Sequence, residues 1–148
     1  MRSRFPFLAL ALPLFCGSPL LADTPYIEVW NSPTCSCCGK WVKYLEANGF
    51  RVKVNAASSS MLDRIKKTSG ISDKYAACHT AKIDGYTIEG HVPAGDIQRL
   101  VTEKPNAIGL TVPGMPIGSP GMERGDEKKP YDVLLIKKDG TTEVFSKH

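Results

Sequence analysis

The sequence predicts an α/β domain: a mixed sheet flanked by helices, with an irregular insert ahead of a C-terminal β-hairpin. Three observations carry this. The segment from Tyr26 to Val54 reads as a strand, a helix and a second strand. The segment from Tyr131 to Phe145 reads as two strands joined at an Asp-Gly turn. Between them lie proline- and glycine-rich stretches that break any long regular element.

Taken in order, Tyr26 to Trp30 (YIEVW) has the branched and aromatic residues of a strand. A loop, Asn31 to Thr34, leads to a cysteine cluster. A helix is expected from about Cys37 to Asn48, because Trp41 and Leu45 are four apart with Val42 beside them. Gly49 stands where a helix C-terminal glycine belongs. Phe50 to Val54 alternates as a half-buried strand does. Ser58, Ser59 and Ser60 offer N-caps for a second helix carrying Met61, Leu62 and Ile65, which Gly70 ends. Ile71 to Thr80 reads as irregular or briefly helical, Tyr86 to His91 as a strand, and Asp96 to Glu103 as a helix. Gly109 to Gly121 reads as an ordered loop with short extended parts. Tyr131 to Lys137 and Thr141 to Phe145 then flank Lys138-Asp139-Gly140 as a hairpin. A β-α-β opening with a closing hairpin makes a thioredoxin-like sheet the natural candidate.

The chain has 148 residues, enough for one ordinary domain. Met1 to Ala22 has two arginines, an apolar run and a small residue before Asp23, the layout of a secretory signal peptide. The expected organisation is a signal peptide over 1–22 and one domain over 23–148. Cleavage there leaves 126 residues; the basic residues fall from 19 to 17 against 15 acidic ones, a net charge of +2. Lysines scattered among acids at that charge argue against a nucleic-acid partner. No later apolar run approaches a membrane span. Charge and hydrophobicity are too ordinary for a disordered chain. Cys16 leaves with the signal, so four cysteines remain: Cys35, Cys37, Cys38 and Cys78.

Four cysteines in a secreted chain often form two plain disulfides. The spacing argues otherwise. Cys35 and Cys38 form a C-x-x-C pair where a strand turns into a helix, and there amide groups and the helix dipole stabilise a thiolate. They are the candidate redox pair. Cys37 does not fit that role, because a third thiol invites scrambling. Three sulfurs at one helix N-terminus, with Cys78 as a fourth, fit a metal site better. Thiolates favour Cu(I) and Zn(II). One zinc ion would be satisfied by four sulfurs, or by three plus His79. Thiolates also bridge Cu(I) ions, so four sulfurs have the capacity for several rather than one.

The loop decides between the metals. Met115 and Met122 each follow a Pro-Gly pair, away from any apolar stripe. Thioether sulfur is a good Cu(I) ligand and a poor zinc ligand; the competing role for each methionine is to fill a gap in the core. His79 adjoins Cys78 and is a candidate ligand. His91, at a strand end before Val92-Pro93, reads as a hydrogen-bonded structural residue, and His148 as solvated. Lys128, Lys129, Lys137 and Lys138 read as surface.

These residues carry a family resemblance. Cys35-Ser36-Cys37-Cys38-Gly39, Cys78-His79-Thr80-Ala81, the Tyr86 to Pro93 run and the PGMPIGSPGME stretch within Gly109 to Glu123 resemble the CopG-like family of periplasmic copper-resistance proteins. The matching pieces span nearly all of the expected domain. The resemblance implies a thioredoxin-like fold, a periplasmic address and copper handling. It also implies that Cys35, Cys37, Cys38 and Cys78 together bind copper in a multinuclear thiolate site. It further suggests interconversion of copper oxidation states, with other periplasmic copper-handling or efflux proteins as partners. Two rivals stand beside it. A thiol–disulfide oxidoreductase acting on protein substrates explains Cys35 and Cys38 but leaves Cys37, Cys78 and the methionine loop over. A structural zinc or disulfide protein predicts no copper preference.

Overall fold

The computed structural model describes residues 24–148; the segment read as a signal peptide lies outside them. The chain runs β1 (Tyr26–Asn31), α1 (Ser36–Ala47), β2 (Arg51–Ala56), α2 (Ser59–Thr68), a short 3-10 turn (Asp73–Tyr75), β3 (His79–Ile83), β4 (Tyr86–Gly90), α3 (Ala94–Glu103), β5 (Ala107–Val112), β6 (Asp132–Lys137) and β7 (Thr142–Lys147). The seven strands form one sheet in the order β2-β1-β3-β4-β5-β6-β7. β1 pairs with β2 in parallel, β3 with β1 and β4 antiparallel, and β4 with β5 in parallel. The mixed α/β class and the thioredoxin-like architecture are therefore as expected.

The placement of the elements differs in two respects, the roles of the hairpins and two strands that pattern reading did not find. The hairpin that completes the thioredoxin-like unit is β3–β4, turned at Asp84-Gly85, both with positive φ. The C-terminal hairpin β6–β7 instead extends the sheet beyond β5. Ile71 to Thr80 holds the 3-10 turn and then enters β3, and Gly109 to Val112, at the start of the stretch read as a loop with extended parts, belongs to the strand Ala107–Val112. β3 escapes pattern reading because it is buried on both faces. His79 and Ala81 face one side, Thr80 the other, and all three are buried, so polarity does not alternate. β5 escapes because Gly109 resembles a breaker. Its register shifts between Ala107 and Gly109, and a Cβ at Gly109 would strike the Thr87 backbone.

The main core lies on one face of the sheet, under α1 and α3. Trp41, Val42 and Leu45 of α1 and Ile97 and Leu100 of α3 meet Ile27, Val29, Ala81, Ile88 and Leu110. Burying each large side chain contributes about 1.5–3 kcal/mol. The buried positions Cys38, Trp41, Val42 and Leu45 form one helical stripe, so packing fixes which way the start of α1 faces. Trp41 also donates its indole N–H to the Val92 carbonyl at 2.9 Å, tying α1 to the segment after β4. No helix among the described residues is long and apolar enough to cross a membrane.

Candidate metal centre

The site is built at the N-terminus of α1. Cys35 is the N-cap residue, in extended conformation, and its side chain makes no capping hydrogen bond. The first amide groups of the helix lack helical partners, so this residue sits at the positive end of the helix dipole. No acidic residue occupies the first turn to cancel that field. Cys37 and Cys38 follow within the turn. Cys38 is fully buried and the other three cysteines are half-buried. Cys35 and Cys38 are joined by a disulfide, and Cys37 and Cys78 are free thiols.

Cys78 reaches the cluster from the residue just before β3. The four sulfurs all lie within 4.8 Å of one another. Cys35 and Cys37 sulfurs are 3.4 Å apart. The Cys78 thiol points at the Met115 thioether, 2.8 Å away. Burial pushes the Cys78 thiol up, and the neighbouring Cys37 adds to the effect. A soft cation among these sulfurs would remove that penalty.

The loop after β5 closes one side. Met115 has a left-handed backbone, φ +48°, directly after Gly114 at φ +75°. This turn presents the thioether to Cys78. Further on, Pro120-Gly121 lies against the first turn of α1. Gly121 has φ +85°, and a Cβ there would be 2.8 Å from the Trp41 nitrogen and 3.0 Å from the Cys37 carbonyl. Met122 is half-buried in the same loop; its N–H donates to the Ser119 carbonyl, and no described contact joins its thioether to the cysteines.

The histidines take separate places. His79 is fully buried beneath the site, with its ring 4.4 Å from that of Trp41 and 5.0 Å from that of His91. Its Nε2 lies 3.0 Å from the Gly90 carbonyl, and Nδ1 has no partner. Burial pushes its pKa down to about 3, so the ring is neutral. Its nitrogens are not among the donor atoms that converge with the four sulfurs. His91 pairs with the Pro120 carbonyl at 2.8 Å and is structural, as read from the sequence. His148 is exposed, as expected of a terminal residue, but its ring also pairs with Asp96 at 2.8 Å, which its position did not suggest.

Sequence reading missed one support of the site. On the opposite face of the sheet, Lys66 of α2 pairs with Glu89 of β4 in a buried ion pair. Thr80 donates to Glu89 at 2.7 Å, and the Ala77 N–H donates to the same carboxylate at 2.6 Å. Glu89 therefore holds the residue immediately before Cys78. The signal in the sequence was weak: a lysine on the apolar side of a helix and a glutamate inside a strand.

Fold and site together define a thioredoxin-like protein with a four-cysteine cluster at the C-x-x-C position. Comparison with known proteins agrees. Residues 75–122 match a protein family described as "Protein of unknown function, DUF411". Two solved structures, titled "Copper resistance protein copG" in Form 1 and Form 2, are each 40% identical with a TM-score of 0.79. The alignment covers 85% of this chain and 99% of the Form 2 chain, or 98% of the Form 1 chain. No curated protein matches the sequence. The chain belongs to the CopG-like family of copper resistance proteins.

Proposed function

We propose that this protein binds copper for resistance and homeostasis, holding Cu(I) in a thiolate site made by Cys35, Cys37, Cys38 and Cys78. The observation that carries this is the convergence of four sulfurs within 4.8 Å, drawn from two separate segments. Cu(I) is soft and accepts low coordination, and bridging thiolates let four sulfurs hold more than one ion. Met115, against Cys78, completes the site. His79 and Met122 are further candidate ligands; in His79 the unpartnered Nδ1 is the available nitrogen, since Nε2 lies against the Gly90 carbonyl. The reading extends to a periplasmic address, reached through a signal peptide over 1–22, and to a working relation with other periplasmic copper-handling or efflux proteins, as the sequence resemblance implies.

The Cys35–Cys38 pair supports a coupled redox step. Two thiols that close as a disulfide release two electrons, enough to reduce two Cu(II) to Cu(I), with two protons leaving. A disulfide withdraws two thiolate ligands, so copper occupancy and thiol state are linked. The same disulfide favours a second reading, exchange with protein substrates. Turnover of a scrambled disulfide substrate by the metal-free protein would support that reading.

The test is an anaerobic Cu(I) titration of the fully reduced protein against a coloured chelator, with native mass spectrometry and zinc run alongside. Several Cu(I) per chain, not displaced by zinc, are expected. Cys37→Ser should lower that number while leaving the Cys35–Cys38 disulfide able to form. Unchanged copper binding in Cys37→Ser, or one tightly held zinc in the parent, would overturn the proposal.

A further inference from the structure

We infer that the cluster is a four-electron store, in which Cys37 and Cys78 close a second disulfide beside Cys35–Cys38. The inference rests on the copper reading for its oxidant, Cu(II), but not for its geometry. With Cys35 and Cys38 joined, the two remaining thiols are the half-buried Cys37 and Cys78, with sulfurs no more than 4.8 Å apart.

Partner choice follows from the chain. Cys37 and Cys38 are neighbours, and neighbouring cysteines form a disulfide only with backbone distortion. Cys35 lies 3.4 Å from Cys37 but is already committed to Cys38. Cys78 comes from another element, so its approach to Cys37 is free of that local constraint. Of the other sulfurs around Cys78, those of Cys35 and Cys38 are already joined and the Met115 thioether cannot form a disulfide. Cys78 also follows the irregular stretch after the 3-10 turn and precedes β3, where a side chain can turn without breaking a strand pair. Closing the bond requires the two sulfurs to come to about 2.05 Å.

The electrons balance. Closing Cys35–Cys38 forms one S–S bond, releases two protons and gives two electrons to two Cu(II). Closing Cys37–Cys78 does the same. Four thiols become two disulfides, four Cu(II) become four Cu(I), and four protons pass to solvent. The fully oxidised chain then has no free thiolate among the four and releases its copper.

The experiment uses the reduced, copper-free protein under anaerobic conditions. It is titrated with Cu(II) in the presence of a chelator that colours with Cu(I). The oxidised product is then alkylated, digested without reduction and mapped by mass spectrometry. Four Cu(I) per chain, a monomeric mass and a linked Cys37–Cys78 peptide are expected. Cys78→Ser should yield two. Two Cu(I) per chain from the parent, with Cys37 and Cys78 alkylated, would overturn the inference, and this readout needs no variant to fold. A parallel titration with diamide, which contains no metal, separates the two claims. Four electrons to diamide from a chain that fails to hold Cu(I) would leave the store standing and remove the copper-holding reading. A second disulfide with diamide but only two Cu(I) from Cu(II) would overturn delivery of the second pair to copper.

Discussion

At Gly121 the loop that carries the methionines touches the helix that carries the cysteines. Its φ of +85° and the 2.8 Å approach of a Cβ to the Trp41 nitrogen exclude a side chain twice over, by backbone conformation and by space. Gly121→Ala should destabilise the protein by about 1–3 kcal/mol, the usual cost of a strained backbone position. Urea unfolding, read by tryptophan fluorescence, checks this. An unchanged midpoint would mean that the loop does not rest on α1. At this scale the site was largely legible. The four cysteines and Met115 were picked out by spacing and sulfur chemistry, and the structure brings them together. His79 was legible only by its place beside Cys78. Sequence adjacency does not give side-chain direction, and β3 turns this ring toward Trp41 and His91.

At the scale of elements, the buried Lys66–Glu89 pair joins α2 to the strands that deliver Cys78. Removing one partner of a buried pair leaves the other charge uncompensated. Lys66→Met alone should therefore cost about 3–5 kcal/mol. Adding Glu89→Leu should recover part of that loss, but it also frees the Ala77 N–H that positions Cys78. Chemical denaturation of the single and double variants checks the first claim, and copper stoichiometry of the double variant checks the second. Equal stability of the single variant and the parent would mean that the pair is not buried in solution. This support was hard to read because pairing across a sheet depends on register, which sequence separation does not show. β3 and β5 were hidden for other reasons, burial on both faces in the first and Gly109 in the second. The helices were plainer, since α1 keeps its apolar residues on one stripe and ends near Gly49, φ +84°.

At the scale of the whole molecule, the fold class was legible but the role of its parts was not. The strongest hairpin signal in the sequence belongs to the sheet extension, whereas the β3–β4 hairpin of the thioredoxin-like unit is weakly marked. The extension is fastened at its far end. Tyr131 and His148 exchange backbone hydrogen bonds and stack at 5.1 Å, and His148 pairs with Asp96 of α3. Burial, with the Asp96 charge second, pushes the Tyr131 phenol up to about 12. The folded chain therefore keeps this proton above pH 10, where the unfolded chain loses it. The contribution to stability is whole below about pH 10 and is lost as pH rises toward 12. Tyrosinate absorbance should show a late-ionising tyrosine that Tyr131→Phe removes. Loss of all tyrosine protons near pH 10 in the folded protein would contradict this docking.

The central claim is that one small volume of sulfur holds the copper. X-ray absorption at the copper edge of the Cu(I)-loaded protein tests it most directly. The expected result is a first shell dominated by sulfur, with copper–copper scattering behind it from thiolate-bridged ions. A first shell dominated by nitrogen or oxygen, with no neighbouring copper, would contradict the account.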